Sequence, residues 1–517
     1  MRLSFFVFLS CFLLSCKVSL IHAAPLGDLV EQLPDFGRPP TAHFSGYLDA
    51  TAGCDTSVNG AYCKLHYWLA MAEGEDSVNR PVVLWLNGGP GSSSLIGFLQ
   101  ENGPLLINAT GGLMENPWSW TKVANFMALE APVGVGYSYC EAQVKGKVCQ
   151  NTDKFTASAS RAALQDFFRN KFPELAHNDF FITGESYAGV YIPTLAKEVL
   201  DHAPEIRLKG VAVGDPCTDN TAQRDSMDAL WYGHKYGLVD DAIFEQLWNK
   251  CQIRMPTAQL KSHIHRSSAA DATVTVAEAH SSHGRKSDFT RHWHRMLRSA
   301  KTVSKNRHEY DDTDECRLAL RKFAMSSSRA LSQGWKDMYI DDYSLFAPMT
   351  HQQDDDMETY MSRPDVRIAL HVTETPIKHW PDDPELGFDY TKEYDACNDN
   401  AVPGSRSMID FYKNIVTRLQ RTWIYNGDTD PCVTYEGTRT AVKRIGLEEL
   451  DGGSYRPWFY NQTAVDPKIF QERAPLFAPN VLAQEMGAQM GGEVTNYEAG
   501  LSFLTIHGSG HMVPQFR

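Results

Sequence analysis

The segment Asp179-Phe180-Phe181-Ile182-Thr183-Gly184-Glu185-Ser186-Tyr187-Ala188-Gly189 permits few structures. A short apolar run reads as a buried strand, and the glycines that follow it allow a sharp turn before a helical pattern begins at Gly189. Such a strand, turn and helix form a nucleophile elbow, which lifts the Ser186 hydroxyl clear of the top of a sheet. The pentad also occurs in ordinary loops, so its partners decide the matter. A serine hydroxyl is a poor nucleophile at its own pKa; it needs an imidazole base, and the imidazole needs a carboxylate to fix its tautomer. In this architecture they follow in the order serine, acid, histidine. The strand-like run Arg421 to Tyr425 leads into Asn426-Gly427-Asp428-Thr429-Asp430-Pro431, and the run Leu501 to Ile506 leads into His507-Gly508-Ser509-Gly510-His511. Both candidate partners therefore stand where strands end and loops begin, which is where a parallel sheet builds its site.

Six apolar runs anchor the fold class: Pro81 to Leu86, Asn125 to Leu129, Asp179 to Ile182, Leu208 to Val213, Arg421 to Tyr425 and Leu501 to Ile506. Helical patterns such as Asp153 to Phe172 and Gly189 to His202 lie between them. The alternation predicts an α/β fold with a mostly parallel central sheet and helices on both faces. A hairpin over Phe44 to Met71 is expected to add antiparallel strands at one edge. Hydrophobic residues at 43% and aromatics at 11% are ample for a large core, and no internal repeat is visible. The net charge of −14 excludes general nucleic-acid binding and suits a protein that loses self-repulsion in acid.

Arg2, the apolar run Leu3 to Leu14 and the small residues around Ala23 and Ala24 predict a secretory signal peptide over 1–23. No later apolar run approaches the roughly 20 residues that span a bilayer, so no membrane span is expected. Asn108-Ala109-Thr110 and Asn461-Gln462-Thr463 are sequons, making Asn108 and Asn461 glycosylation candidates. Two of the 11 cysteines, Cys11 and Cys16, fall in the signal, leaving an odd number. In an oxidising compartment Cys54 with Cys63, Cys140 with Cys149, and Cys251 with Cys316 are disulfide candidates. The rest divides into 24–249 and 336–517, two parts of one domain, around an insertion at 250–335. Between Lys261 and Tyr310 ten Lys/Arg face four Asp/Glu, a local balance of +6, with seven of the chain's 18 histidines. This basic stretch reads as the mobile, protease-accessible part of a cap that acid would charge further. Its histidines are scattered without cysteine or carboxylate partners, so no metal is expected, and no cofactor motif is present.

Six phrases occur in one order: Trp85-Leu86-Asn87-Gly88-Gly89-Pro90-Gly91, Asn116-Pro117-Trp118-Ser119-Trp120, Glu130 to Ser138, Gly184 to Gly189, Gly427 to Asp430, and Gly510-His511-Met512-Val513-Pro514. Together they resemble the serine carboxypeptidase family, from about Phe44 to the last residue. The resemblance implies an α/β-hydrolase fold with an inserted cap and a triad of Ser186, His511 and Asp430. Asp428 and His507 are then a turn carboxylate and a strand-end residue. It also implies an oxyanion hole from the backbone N–H groups of Gly89 and Tyr187, and a pocket of Trp85, Asn87, Gly88, Glu101 and Glu185 for the substrate's C-terminal carboxylate. Two glutamates and an incoming carboxylate cannot all be ionised, so activity at acid pH is expected.

The implied reaction is release of residues from peptide or protein C-termini in a lysosome-like or vacuolar compartment, or after secretion. The alternatives are an acyltransferase with the same triad, against which Glu185 speaks because such relatives commonly carry aspartate there, and a non-catalytic protective protein. Tyr187 and nearby aromatics lean toward an apolar residue beside the scissile bond. Three departures stand out. Ser92 replaces a cysteine whose usual partner matches Cys397, leaving Cys217, Cys397 and Cys432 to form one bridge, with Cys217 to Cys432 preferred. The chain also ends six residues after His511, where the family continues into a final helix, so a truncation with an uncovered apolar face is expected. Excision within the insertion would give a two-chain enzyme.

Overall fold

Eleven strands form one sheet in the computed structural model, and the six expected apolar runs keep their boundaries to within a few residues. The structure describes residues 24–108, 110–224, 226–253, 314–326, 344, 351–381, 387–397, 405–450, 455–461 and 488–516. The predicted signal peptide 1–23 lies outside the described residues, as does most of the 250–335 insertion, including its basic stretch.

The strands are β1 (His43–Asp49), β2 (Cys63–Ala70), β3 (Val82–Leu86), β4 (Asn125–Leu129), β5 (Tyr139–Cys140), β6 (Phe180–Glu185), β7 (Leu208–Gly214), β8 (Arg421–Gly427), β9 (Arg456–Asn461), β10 (Ala488–Asn496) and β11 (Leu501–Ile506). Their spatial order is β1-β2-β4-β3-β6-β7-β8-β11-β10-β9, with β5 paired to β2. The six strands from β4 to β11 are mutually parallel, while β1, β2, β10 and β9 add antiparallel edges. The predicted hairpin is β1 and β2, paired from His43 with Ala70 to Asp49 with Lys64.

Central strands buried on both faces need helices over them. Helix α1 (Asp153–Asp166) starts where the Thr152 side chain accepts the Phe155 N–H, and it packs beside α2 (Ala188–His202), which leaves the elbow directly. Tyr67, Leu84, Ile182, Leu195 and Val213 belong to the apolar layer on this side of the sheet. A second layer on the other side collects Trp68, Trp85, Phe98, Phe126 and Trp380. Burial is uneven on β8: Thr422, Ile424 and Asn426 are fully buried, whereas Trp423 is 48% exposed in the middle of the sheet.

A third, smaller core lies apart from these two layers. Leu230, Leu247, Ile253, Leu320 and Phe323 pack around a disulfide from Cys251 to Cys316 on α3 (Asp314–Ser326). Disulfides also join Cys54 to Cys63 and Cys140 to Cys149. The preferred bridge from Cys217 to Cys432 does not form, because Cys217 is joined to Cys397. Neighbouring strands were a poor guide: Cys217 lies three residues past β7, and the loop carrying Cys397 reaches it from 180 residues away. No helix among the described residues is long and apolar enough to cross a membrane.

Candidate active site

Ser186 sits at the tip of β6 with φ 63°, a left-handed conformation that a non-glycine residue holds only when its surroundings enforce it. The enforcement comes from the end of β7. The Ser186 N–H donates to Gly214 O at 2.9 Å and the Ser186 carbonyl accepts from Cys217 N at 3.0 Å. The 15-residue helix α2 then begins at Ala188, so the positive end of its dipole faces the space above the serine. Gly88 presses against this turn; a Cβ there would collide with the Tyr187 nitrogen and the Ser186 side chain. The structure thus brings the Gly88–Gly89 loop, Ser186 and the Tyr187 N–H to one place.

The ends of β8 and β11 converge beside it. Gly427 lies so close to the Ser509 and Gly510 carbonyls that no side chain would fit. His511 Nδ1 is 2.7 Å from Asp430 Oδ2, with the two side chains 4% and 0% exposed. Asp430 also accepts from Cys432 N at 2.6 Å and Val433 N at 3.2 Å, so it is oriented by backbone as well as by imidazole. A second pair runs parallel to this one. His507 Nδ1 is 2.7 Å from Asp428 Oδ2, and Gly508 N donates to Asp428 Oδ1 at 2.8 Å, but the His507 side chain is 62% exposed. The competing acid is therefore a surface turn carboxylate, though it binds the β11 turn rather than its own backbone.

Asn87 organises the five residues predicted as a carboxylate pocket. Its Oδ1 accepts from Trp85 Nε1 at 2.8 Å and Gly97 N at 3.0 Å, which turns its Nδ2 toward the acids. That amide donates to Glu101 Oε1 at 3.1 Å and to Glu185 Oε1 at 2.9 Å. Both glutamates are buried, and the Oε2 atom of each finds no donor in its surroundings other than the opposing carboxyl. A proton must lie between them. Burial pushes Glu101 up to about 7, and burial together with the Glu101 charge pushes Glu185 well above the usual carboxylate range. Glu185 immediately precedes Ser186, so the acid pair and the serine share one turn of chain.

The structure turns Tyr187, one of the aromatics behind the expected apolar subsite, away from solvent. Its ring is only 1% exposed and its hydroxyl donates to Asp153 Oδ1 at 2.9 Å, so it is a support beneath the loop. Tyr390 OH donates to the same oxygen at 2.7 Å, and Gly91 N donates to Tyr191 OH at 3.2 Å. This tyrosine group braces the glycine loop, and the separation of 237 residues between Asp153 and Tyr390 gave no sequence signal. Sequence reading also missed a buried network in which Ser45 Oγ is 2.9 Å from His66 Nε2 and His66 Nδ1 is 2.8 Å from Glu130 Oε2. It has triad-like distances yet no access: all three side chains are fully buried, Ser45 donates to Leu370 O, and Glu130 takes further bonds from Ser93, Tyr137 N and Trp380 Nε1. Of the sequons, Asn108 sits half-buried in a turn where its Oδ1 accepts from Thr110 and Gly112, and Asn461 ends β9 while Thr463 lies outside the described residues.

A sequence profile described as serine carboxypeptidase matches residues 34–517. The chain belongs to the serine carboxypeptidase family. It is 31% identical to the lysosomal protective protein of Mus musculus over 500 residues, covering 95% of this chain and 91% of that protein. Serine carboxypeptidase-like 20 of Arabidopsis thaliana is 30% identical over 537 residues, covering 99% and 94%. Among solved structures, Kex1Δp, a prohormone-processing carboxypeptidase from Saccharomyces cerevisiae, superposes with a TM-score of 0.60 at 19% identity, covering 92% of this chain and 88% of that one. The family and this fold make the chain an α/β-hydrolase of the serine-type carboxypeptidase class.

Proposed function

We propose that the enzyme removes C-terminal residues from peptides and proteins at acid pH, with Ser186 as nucleophile, His511 as general base and Asp430 as the carboxylate that orients it. The observation carrying this reading is the shared turn: the nucleophile candidate directly follows one of two buried, proton-sharing glutamates, beside a buried Asp–His pair. Ser186 Oγ attacks the scissile carbonyl as its proton passes to His511 Nε2, and the Gly89 and Tyr187 N–H groups take the developing oxyanion. His511 then returns the proton to the leaving amine nitrogen, and water repeats the sequence on the acyl-enzyme. Trp85, Asn87, Gly88, Glu101 and Glu185 receive the substrate's terminal carboxylate through a protonated acid and the surrounding hydrogen-bond donors. An endopeptidase would need no such pocket.

The test is mass spectrometry of an N-blocked peptide ladder at pH 5, beside the same peptides amidated at the C-terminus. Stepwise loss of single residues from the free acids alone is expected; equal trimming of both sets would end the proposal. A glucose-ester donor in a parallel arm detects acyl transfer. The four disulfides and the likeness to a protein named for lysosomes support a secretory route to an acid compartment or to the exterior. N-terminal sequencing of the purified enzyme is expected to start near Ala24.

A further inference from the structure

We propose that Asp215 holds a proton against Asp430, and that this neutral donor, by drawing charge from Asp430, leaves the His511 imidazole able to act as a base in acid. The inference rests on the assignment of Asp430 and His511 given above.

Asp215 follows the last residue of β7 and is fully buried. Its backbone is held in the left-handed region at φ 44°, with its N–H donating to Tyr425 O at 2.8 Å. One side-chain oxygen, Oδ1, accepts from Asn426 Nδ2 and from Gly427 N, both at 3.0 Å. The other, Oδ2, is buried and finds no N–H or hydroxyl partner. What stands near it is the catalytic pair: ligand-type atoms of Asp215, Asp430 and His511 all lie within 4.8 Å of one another.

Two carboxylates in dry contact cannot both keep a charge. Asp430 is the better anion, since it receives His511 Nδ1, Cys432 N and Val433 N. Asp215 has two donors, both on one oxygen, and the proton therefore belongs on its Oδ2, where it can reach Asp430. The acidic neighbours act in the same direction, and a protonated His511 would act against them. Asp430 and Glu185 face Asp215, Glu101 stands behind Glu185, Tyr425 adjoins from β8, and Tyr232 and Tyr236 close the far side of Asp430. Burial first, then the Asp430 charge, pushes Asp215 well above the usual carboxylate range.

The chemical consequence concerns His511. An imidazolium is stabilised by the full charge of the carboxylate beside it, and a hydrogen bond donated to that carboxylate draws part of the charge away. With Asp215 protonated, Asp430 presents less charge to His511, so the imidazole can accept the Ser186 proton where the glutamate pocket is also in its working state. Asp215 touches no substrate in this scheme. It is a positioning residue, acting through Asp430.

The test measures the acid limb of triad reactivity without the carboxylate pocket, using the inactivation rate by diisopropyl fluorophosphate and the hydrolysis of p-nitrophenyl acetate from pH 4 to 8. Asp215→Asn retains a neutral donor and is expected to keep the acid-limb midpoint within about 0.3 pH unit. Asp215→Ala removes the donor and is expected to raise the midpoint by about one unit, roughly a tenfold loss of rate well below it. A folded Asp215→Ala with the wild-type limb overturns the proposal. If that variant does not fold, Asp215→Asn decides alone: were the native side chain an anion, a neutral amide would lower the midpoint by a unit or more, and that result also overturns it. Ser186→Ala is the control for the underlying assignment. Reactivity surviving in Ser186→Ala means the triad reading is wrong, whereas a dead Ser186→Ala beside an unmoved Asp215→Ala means only this inference is wrong.

Discussion

Titrating the glutamate pair separates the pocket from the triad. Glu101 is raised to about 7 by burial, and Glu185 is raised well above the usual carboxylate range by burial and by Glu101. An acid raised in the folded enzyme is neutral below its midpoint and ionises above it. The proposed pocket should therefore be receptive in acid and lose that state as pH rises through about 7. At pH 5 a carboxyl with that midpoint is about 99% protonated, and at pH 8.5 it is about 3% protonated. An incoming peptide carboxylate then meets an extra buried charge, so kcat/KM for a free-acid peptide should fall about 30-fold across this interval, with the loss appearing in KM. An N-blocked p-nitrophenyl ester carries no terminal carboxylate and should escape that loss. Replacing both acids, Glu101→Gln with Glu185→Gln, leaves amide donors that cannot ionise, and KM for the peptide should then stay level from pH 5 to 8.5. The assay is steady-state kinetics of the peptide and the ester on both enzymes over that range. A level KM in the wild type, or the same KM rise in the double variant, would refute the reasoning.

Ser186→Ala should lower kcat by at least roughly 10⁴-fold while leaving the thermal unfolding curve in place, read by circular dichroism beside the peptide assay. The two aspartates of the β8 turn should separate cleanly: Asp430→Asn is expected to cost about 10⁴-fold in kcat because the amide imposes the wrong imidazole tautomer, whereas Asp428→Asn, whose partner His507 is exposed, should stay within about twofold. His66→Ala should destabilise the fold by about 3–5 kcal/mol in urea unfolding, since Glu130 would be left buried without its imidazole partner. An effect under about 1 kcal/mol would mean that the Ser93, Tyr137 and Trp380 donors suffice for Glu130.

Local chemistry made the elbow, the parallel strands and the order of serine, acid and histidine legible, because each is a short-range pattern: an apolar run, a glycine turn, a polar residue at the strand end. β4 and β11 span the expected residues, and the others shift by a few at their ends. The resemblance added the residues from Trp85 to Glu185, and the structure ties Trp85, Glu101 and Glu185 to the side-chain amide of Asn87. What could not be read is pairing through space. The bond from Cys217 to Cys397 depends on where a long connection returns, and neither strand order nor cysteine count specifies that. The orientation of Tyr187 was equally hidden, since a residue type says nothing about which side of its loop the ring takes. The Ser45, His66 and Glu130 network shows the opposite hazard, a triad geometry that only burial distinguishes from a reactive one.

The acids around Ser186 are best understood as one continuous device. Glu101 meets Glu185, Glu185 lies within electrostatic reach of Asp430 and Asp215, and Asp215 faces Asp430, which holds His511. Four buried carboxyls so disposed cannot each carry a charge, and among the described residues the basic group set against them is the His511 imidazole, which on the proposed mechanism must itself be neutral to act as a base. The site must therefore store protons on carboxyls while keeping one off the histidine. Asp430 alone has backbone donors on both of its oxygens, so it remains the anion and the others take the protons. An enzyme built this way has its activity in acid fixed by where the N–H groups of the β8 turn point, and moving those two donors to Glu185 or Asp215 would invert which acid ionises first.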